Sequence, residues 1–356
     1  MLNSSRVWPG AAYAITAALL FGASTPLAKA LLGDGVGPQL LAGLFYLGSG
    51  VGLGALFLGR RLLDLDSGEA RLRRQEWPRL ALAVLLGGAV APVLMLAGLE
   101  RTSAASASLL QNLEGLATMG MAWVVFRENV DRRVLAGAGA ILAGAVLLSV
   151  HAGSARPGSG ALLIAAACIA WGADNNLTRP LAQADPVQIA AIKGLAAGSV
   201  NVALALAAHP GGLPSAGLVA GAAAVGLAGY GVSLVLYVLG LRHLGTARTA
   251  AYFSTAPFIG SALAVGLLAE PLTARLLGAG VLMGIGLYLH LTERHEHLHR
   301  HEAHEHAHRH VHDEHHQHAH AASDPPGEPH SHRHRHLPLS HAHPHYPDLH
   351  HRHRHG

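Results

Sequence analysis

Glu114 stands inside a run from Thr102 to Phe126 that carries no other charge. A charged side chain near the middle of a spanning helix costs roughly 2.5–3.5 kcal/mol on insertion scales, so such residues face a cavity or a partner. Gln111 lies three residues earlier and shares that helical face. Two roles fit Glu114: a group that lines a substrate cavity and takes up and releases a proton, or a structural carboxyl hydrogen-bonded between helices. A second polar cluster is Asp174-Asn175-Asn176, followed by Arg179. Three consecutive polar residues sweep most of a helical turn, and each can hydrogen-bond a polar solute. Lys193 lies seven residues past Pro186, where it can snorkel to an interface or pair with Asp174 or Glu114. Tyr230, Tyr237 and Tyr252 add hydroxyls and aromatic faces, and Tyr252 joins the candidate cavity set.

The last 62 residues carry a different chemistry, since 24 of them are histidine, mostly spaced His-x-His. Neutral imidazole is a good ligand for Zn, Ni, Co and Cu. His295, His297, His299, His301, His304, His306, His308, His310 and His312 are the candidate ligands at its start. Without thiolates the set has no special preference for zinc. Few apolar residues occur from residue 293 to residue 356, so this composition predicts a disordered tail. Catalytic patterns are lacking elsewhere. The chain holds no phosphate-binding Gly-Lys-Ser/Thr loop, no serine elbow and no Cys/His pair, and His151, His209 and His243 are isolated. These features exclude an ATP-driven pump and give no reason to expect an enzyme.

The elements that must position these residues are membrane helices. The chain is 51% hydrophobic and 13% charged despite its polar tail, and it is rich in Gly and Ala. A spanning helix needs about 20 mostly apolar residues. Ten segments qualify: Ala11–Leu32, Pro38–Leu58, Trp77–Leu99, Ala104–Phe126, Val134–Val150, Gly160–Leu181, Pro186–Ala208, Leu218–Leu241, Ala247–Leu268 and Thr273–His290. The first reads as a retained helix rather than a cleaved signal. Pro26 in that helix, beside Ser24 and Thr25, predicts a kink. Cys168 is a lone cysteine in an apolar run and forms no intramolecular disulfide.

Two anchors point to an internal duplication. Residues 98–147 align with residues 240–289 at an offset of 142, with nine of fifty positions identical, including Glu128 with Glu270 and Arg133 with Arg275. FGASTPLAKALL (Phe21–Leu32) aligns with WGADNNLTRPLA (Trp171–Ala182) at an offset of 150. The longer basic loop from Gly59 to Trp77 absorbs the change in offset. Each half then holds five helices, 11–150 and 160–290. An odd number inserts the second half the other way up, as in many secondary transporters. With the N-terminus inside, thirteen Lys/Arg residues fall on the inner connections and four on the outer ones, so both termini are predicted cytoplasmic at an inner (plasma) membrane. The formal charge of +4 follows this topology, and no nucleic-acid partner is expected.

This pattern resembles the EamA branch of the drug/metabolite transporter superfamily. The resemblance is carried by FGASTP in the first helix, LEGLATMGMAWVVFRE (Leu113–Glu128) in the fourth and STAPFIGSALAVGLLAEPLT (Ser254–Thr273) in the ninth. The family's Glu-Pro pair is split here, with Glu114-Gly115 in the first copy and Ala256-Pro257 in the second. Its terminal Gly-Glu is represented by Glu128 and Glu270, which follow Arg127 and Ala269. The resemblance implies a carrier with a central cavity between two repeats.

The expected protein is an all-α membrane protein with ten helices in two inverted five-helix repeats and a disordered His-rich tail. Its expected function is secondary export of a small metabolite or drug-like solute by alternating access, with Glu114 coupling protons. No cofactor is required, although the tail offers sites for a divalent metal. Its partners are a small-molecule substrate and the lipid bilayer, and a homodimer is compatible with this architecture. Two alternatives stand beside it: a Ni/Co/Zn carrier that uses the tail, and a non-transporting metal sensor.

Overall fold

The structure is a computed structural model. It describes residues 4–63, 72–126, 132–150, 157–181, 184–208, 212–244, 246–292, 296–301, 304–310, 330–336 and 339–344. Up to residue 292 the regular elements are helical. They are α1 (Ser4–Gly33), α2 (Pro38–Leu62), α3 (Trp77–Ala83), α4 (Ala91–Glu100), α5 (Ala104–Leu110), α6 (Asn112–Phe126), α7 (Arg132–Ser149), α8 (Ser159–Thr178), α9 (Pro186–Ala208), α10 (Ala216–Gly226), α11 (Ser233–Leu244), α12 (Thr246–Phe253), α13 (Ala256–Leu267) and α14 (Ala274–Leu291). Among the described residues eight helical runs are long and apolar enough to cross a bilayer. The other two expected spans are helical but fall outside that set. One is divided at Gln111, and the other, α8, carries the Asp174-Asn175-Asn176 cluster. α1 continues through both Pro9 and Pro26.

Four helical runs depart from α geometry near their middles. α3 and α4 are joined by a π-helical stretch, Val84–Val90, and α10 and α11 by another, Leu227–Val232. Gly87, Gly88 and Pro92 explain the first. Proline lacks the N–H that would bond the carbonyl four residues back, and its ring crowds that carbonyl, so the turn widens. α5 and α6 break at Gln111, where the Asn112 amide turns back to donate to the Leu109 carbonyl (2.8 Å). α12 and α13 break at Ser254-Thr255, whose hydroxyls donate to the Ala251 (2.8 Å) and Tyr252 (2.6 Å) carbonyls just before Pro257. Both breaks lie inside segments expected to span the bilayer, and residues 248–267 still form one run long and apolar enough to do so. Local side-chain bonds to the backbone compete with the helical ladder at both places.

The helices pack in matched pairs. α8 lies against α4 and α6, while α1 lies against α11 and α13. α2 pairs with α9, and α7 with α14. The closest approaches repeat too. A Cβ on Gly22 of α1 would stand 3.2 Å from the Gly260 nitrogen of α13, and one on Gly172 of α8 would stand 2.8 Å from the Thr118 nitrogen of α6. Along α2 and α9, backbone meets backbone at Gly43, Gly50, Gly194 and Gly198. Small residues allow this approach where lipid supplies no hydrophobic drive. The exterior is apolar, with Val51, Leu58, Trp123, Val124, Leu142, Val146, Val200, Leu204 and Val281 among its exposed large side chains.

One end of the bundle is tied by two charged groups. The Glu270 carboxylate accepts from the first two backbone N–H groups of α5, Ala104 (2.7 Å) and Ala105 (2.8 Å). Lys29 donates to the Leu99 (2.7 Å), Glu100 (3.3 Å) and Thr102 (2.8 Å) carbonyls at the end of α4. The repeat-related glutamate, Glu128, lies outside the described residues.

Beyond α14 the described backbone forms four short strands, β1 (Glu296–His301), β2 (His304–His310), β3 (His330–His336) and β4 (Leu339–Pro344). β1 pairs antiparallel with β4, and β2 with β3. The composition leads to an expectation of disorder here, and within these four segments the chain is paired instead. His-x-His alternation has the period of a strand, which explains why pairing is available to so polar a sequence.

Candidate functional site

The polar residues read from the sequence converge where the helices are irregular. Asp174 on α8 is buried, with 5% of its surface exposed. Lys193 on α9 donates to both of its carboxylate oxygens, at 2.8 and 2.6 Å. Thr178, one turn further along α8, donates to the first of them at 2.9 Å. Room for this carboxylate comes from Gly87 in the first π stretch, since a Cβ there would fall 1.9 Å from Oδ2. The widened turn also leaves carbonyls for side chains. That of Gly87 accepts from the Tyr46 hydroxyl (2.7 Å) and the Trp171 indole (3.0 Å), and that of Ala89 accepts from Asn201 (3.1 Å).

The next layer joins α6 to α8. Asn175 donates to Glu114 Oε1 (2.9 Å) and to Thr118 Oγ1 (3.1 Å), whose own hydroxyl donates to the Glu114 carbonyl (2.9 Å). Asn176 donates to the Thr118 (3.0 Å) and Gly172 (2.8 Å) carbonyls. Gln111, at the α5–α6 break, donates to Thr25 on α1 at 2.8 Å. Thus Gln111, Glu114, Asp174, Asn175, Asn176 and Lys193 all hold partners on neighbouring helices. Asp174 is buried, Glu114 half-buried and Asn175 exposed, so the polar path runs from the interior to an accessible surface.

Tyr252 does not join this group. It is exposed on α12, and among the described residues no hydrogen bond or ring contact ties it to Glu114 or Lys193. The aromatic wall is built instead by residues of which sequence reading weighed only part. The Tyr230 ring, on the second π stretch, lies 5.6 Å from Tyr46, 5.8 Å from Phe45 and 6.0 Å from Phe21. Phe253 continues it, 5.4 Å from Phe21 and 4.8 Å from Tyr237. Tyr46 was legible only as one aromatic in an apolar helix; its pairing with a π-turn carbonyl depends on tertiary contact. A cleft of about 630 Å³ lined by Ala97, Arg101, Ser159, Leu162 and Leu163 lies near the start of α8, half a helix away from Asp174. It contains no member of the polar cluster and is not the site.

This arrangement places an ammonium and two carboxylates, each with defined partners, inside an apolar helical bundle. The EamA-like transporter family model matches residues 8–150 and 158–292. The chain belongs to the EamA-like transporter family. It is therefore a multi-pass membrane transporter of the drug/metabolite transporter superfamily that handles a small-molecule substrate and contacts lipid. Such transporters generally perform no covalent chemistry and need no cofactor. A similar curated protein is an "Uncharacterized transporter" of Methanothermobacter thermautotrophicus, 27% identical over 297 residues, covering 80% of this EamA-like chain and 86% of that protein. A solved crystal structure aligns with a TM-score of 0.58 at 22% identity, covering 79% of this chain and 95% of the other, and is alike in fold.

Among the residues whose side chains are described, no group of three or more His, Cys, Asp or Glu gathers to hold a metal ion in this EamA-like transporter. The tail candidates fall elsewhere. His297, His299 and His301 are on β1, and His304, His306, His308 and His310 are on β2, while His295 and His312 lie outside the described residues.

Proposed function

We propose that this EamA-like chain is a secondary carrier that exports a small metabolite or drug-like solute by alternating access. In this reading both termini are cytoplasmic at an inner membrane, and the halves 11–150 and 160–290 are inverted five-helix repeats. The observation that carries it is the buried Asp174–Lys193 pair with the Glu114–Asn175 pair beside it, set where π turns and helix breaks meet. Irregular backbone at membrane depth occurs where it is covered by protein or lines a cavity, and substrate sites form at such broken helices. An ammonium flanked by carboxylates suits a polar solute that bears charge of both signs, because such a solute can replace each partner in turn.

The duplication is supported by contacts at matching offsets. Gly87 and Gly229 are 142 residues apart, and each is the close-approach point for Asp174 and Ser24, which are 150 apart. The two π stretches overlap at the offset of 142, and the two helix breaks fall within two residues of it. Glu114 is the proton-coupling residue in this reading, because it is a half-buried carboxylate in an apolar helix, held at Oε1 by Asn175 of the facing helix. A metal path has less support, since Asp174 is already neutralised by Lys193 and Glu114 is the single further carboxylate of the cluster.

A metabolite profile of cells with and without the protein tests this. One solute pool rises on deletion and is restored by the wild type but not by Lys193→Met. A profile unchanged by deletion and by overproduction refutes the carrier. In proteoliposomes with that solute, Glu114→Gln abolishes the pH dependence of transport, and retention of that dependence removes the proton role.

A further inference from the structure

We propose that the tail is a metal-closed β-hairpin in which histidines of two distant segments, residues 297–310 and 330–343, jointly hold divalent transition ions. The observation is the register. His304 stands opposite His336, His306 opposite His334, His308 opposite His332 and His310 opposite His330. On the other ladder His297 stands opposite His343 and His299 opposite His341. All pairs, from Glu296 with Pro344 to His310 with His330, belong to one common register, so β1–β2 and β4–β3 are the two arms of a single hairpin.

The alternation makes this register selective. Along β2 and β3 every second residue is histidine, so every position of one face is histidine, and the other face carries Glu305 opposite Arg335, Ala307 opposite Arg333 and Arg309 opposite Ser331. A one-residue slip would leave no histidine of β2 opposite a histidine of β3 and dissolve the set. In the observed register, opposite residues are about 5 Å apart at Cβ and next neighbours on the same face about 7 Å apart. Two adjacent pairs thus place four histidines at neighbouring register positions, the number of ligands a tetrahedral transition ion takes. The β2–β3 ladder provides two such sets and the β1–β4 ladder one, for about three ions per chain.

The donor set names the ligand class. Four neutral nitrogens with no carboxylate or thiolate on that face suit Zn, Ni, Co or Cu, and do not suit Ca or Mg, which require oxygen. The same chemistry reconciles the ladder with the composition. A two-stranded hairpin is marginal in water, and this one has almost no apolar residues to bury. Metal binding supplies the closure, so the tail folds as it loads.

The full-length protein in detergent, titrated with zinc chloride and separately with nickel chloride, tests this. Replacing His304, His306, His308 and His310 by Ala should lower the capacity from about three ions to about one. Replacing His330, His332, His334 and His336 should do the same, and combining both sets should lose no more. Losses that are smaller and additive overturn the shared sites in favour of independent ones along a string. A second measurement reads the register without touching a histidine. Under diamide, Ala307→Cys with Arg333→Cys should cross-link at least tenfold faster with zinc than without, and Ala307→Cys with Ser340→Cys should not. Equal rates for the two pairs, or rates indifferent to zinc, overturn the hairpin. None of these readouts involves transport, so their failure leaves the carrier reading untouched.

Discussion

Replacing Lys193 by Met should be among the most damaging single changes in the bundle, and replacing Asp174 along with it should repair most of the damage. The pair is 2.6 Å apart at its shorter contact, with side-chain exposures of 17% and 8%. At that separation the attraction is about 6 kcal/mol for an effective dielectric of about 20. Desolvation of both ions offsets much of it, so the intact pair adds little net stability. Removing the ammonium alone leaves a carboxylate buried against Gly87 with Thr178 as its remaining donor among the described residues. The expected loss is about 3–5 kcal/mol. Asp174→Asn with Lys193→Met removes both charges and should cost about 1 kcal/mol, so the two substitutions are coupled and the second recovers about 2–4 kcal/mol of the loss caused by the first. Unfolding free energies of the wild type, both single variants and the double variant, measured in mixed detergent micelles, yield that coupling directly. A coupling below about 1 kcal/mol would refute the reasoning, since it would mean that the charges are solvated well enough to ignore each other. The double variant should also fold and fail to transport, which separates a site role from a structural one.

Other outcomes follow from the same geometry. Gly87→Ala places a methyl 1.9 Å from Asp174 Oδ2, and should destabilise by at least the ~1–3 kcal/mol typical of overpacking, with rescue by Asp174→Ala. Gly226→Ala meets the Phe45 backbone oxygen at 2.1 Å and should be similarly harmful. Gly115→Ala meets nothing within 4 Å and should be neutral or up to about 1 kcal/mol stabilising, as read by the same denaturation. Glu270→Ala removes the acceptor for Ala104 and Ala105, and should cost about 1–2 kcal/mol with faster hydrogen exchange at those amides.

The helical membrane architecture was legible because it depends on composition and length, which the sequence states outright. The polar cluster was legible for the same reason, since a charge at Glu114 or Asp174 is costly enough in an apolar run to stand out. The pairing of Lys193 with Asp174, one of the partners its spacing allowed, rather than snorkelling is resolved by the Gly87 gap that brings α3–α4 against α8. The irregularities were not legible. Val84–Val90 reads as one more apolar stretch, and its π turn becomes visible through the Tyr46, Trp171 and Asn201 bonds to its carbonyls. Tyr252 stands apart from the cluster because a tyrosine near a helix break looks the same in sequence whether it faces in or out. The tail register was hidden because residues that pair are up to 48 positions apart and nearly every local segment looks alike.

The glycine seam between α2 and α9 has a mechanical consequence. At Gly43, Gly50, Gly194 and Gly198 backbone meets backbone, so these four positions add no side chain of their own to the contact. Fewer side chains then have to unpack when the two surfaces slide by a fraction of a turn, as a plain bearing turns where meshed gears would jam. A carrier that must present one site to two sides needs an axis of this kind. The same smoothness would make the seam intolerant of any added methyl group, however conservative the substitution looks.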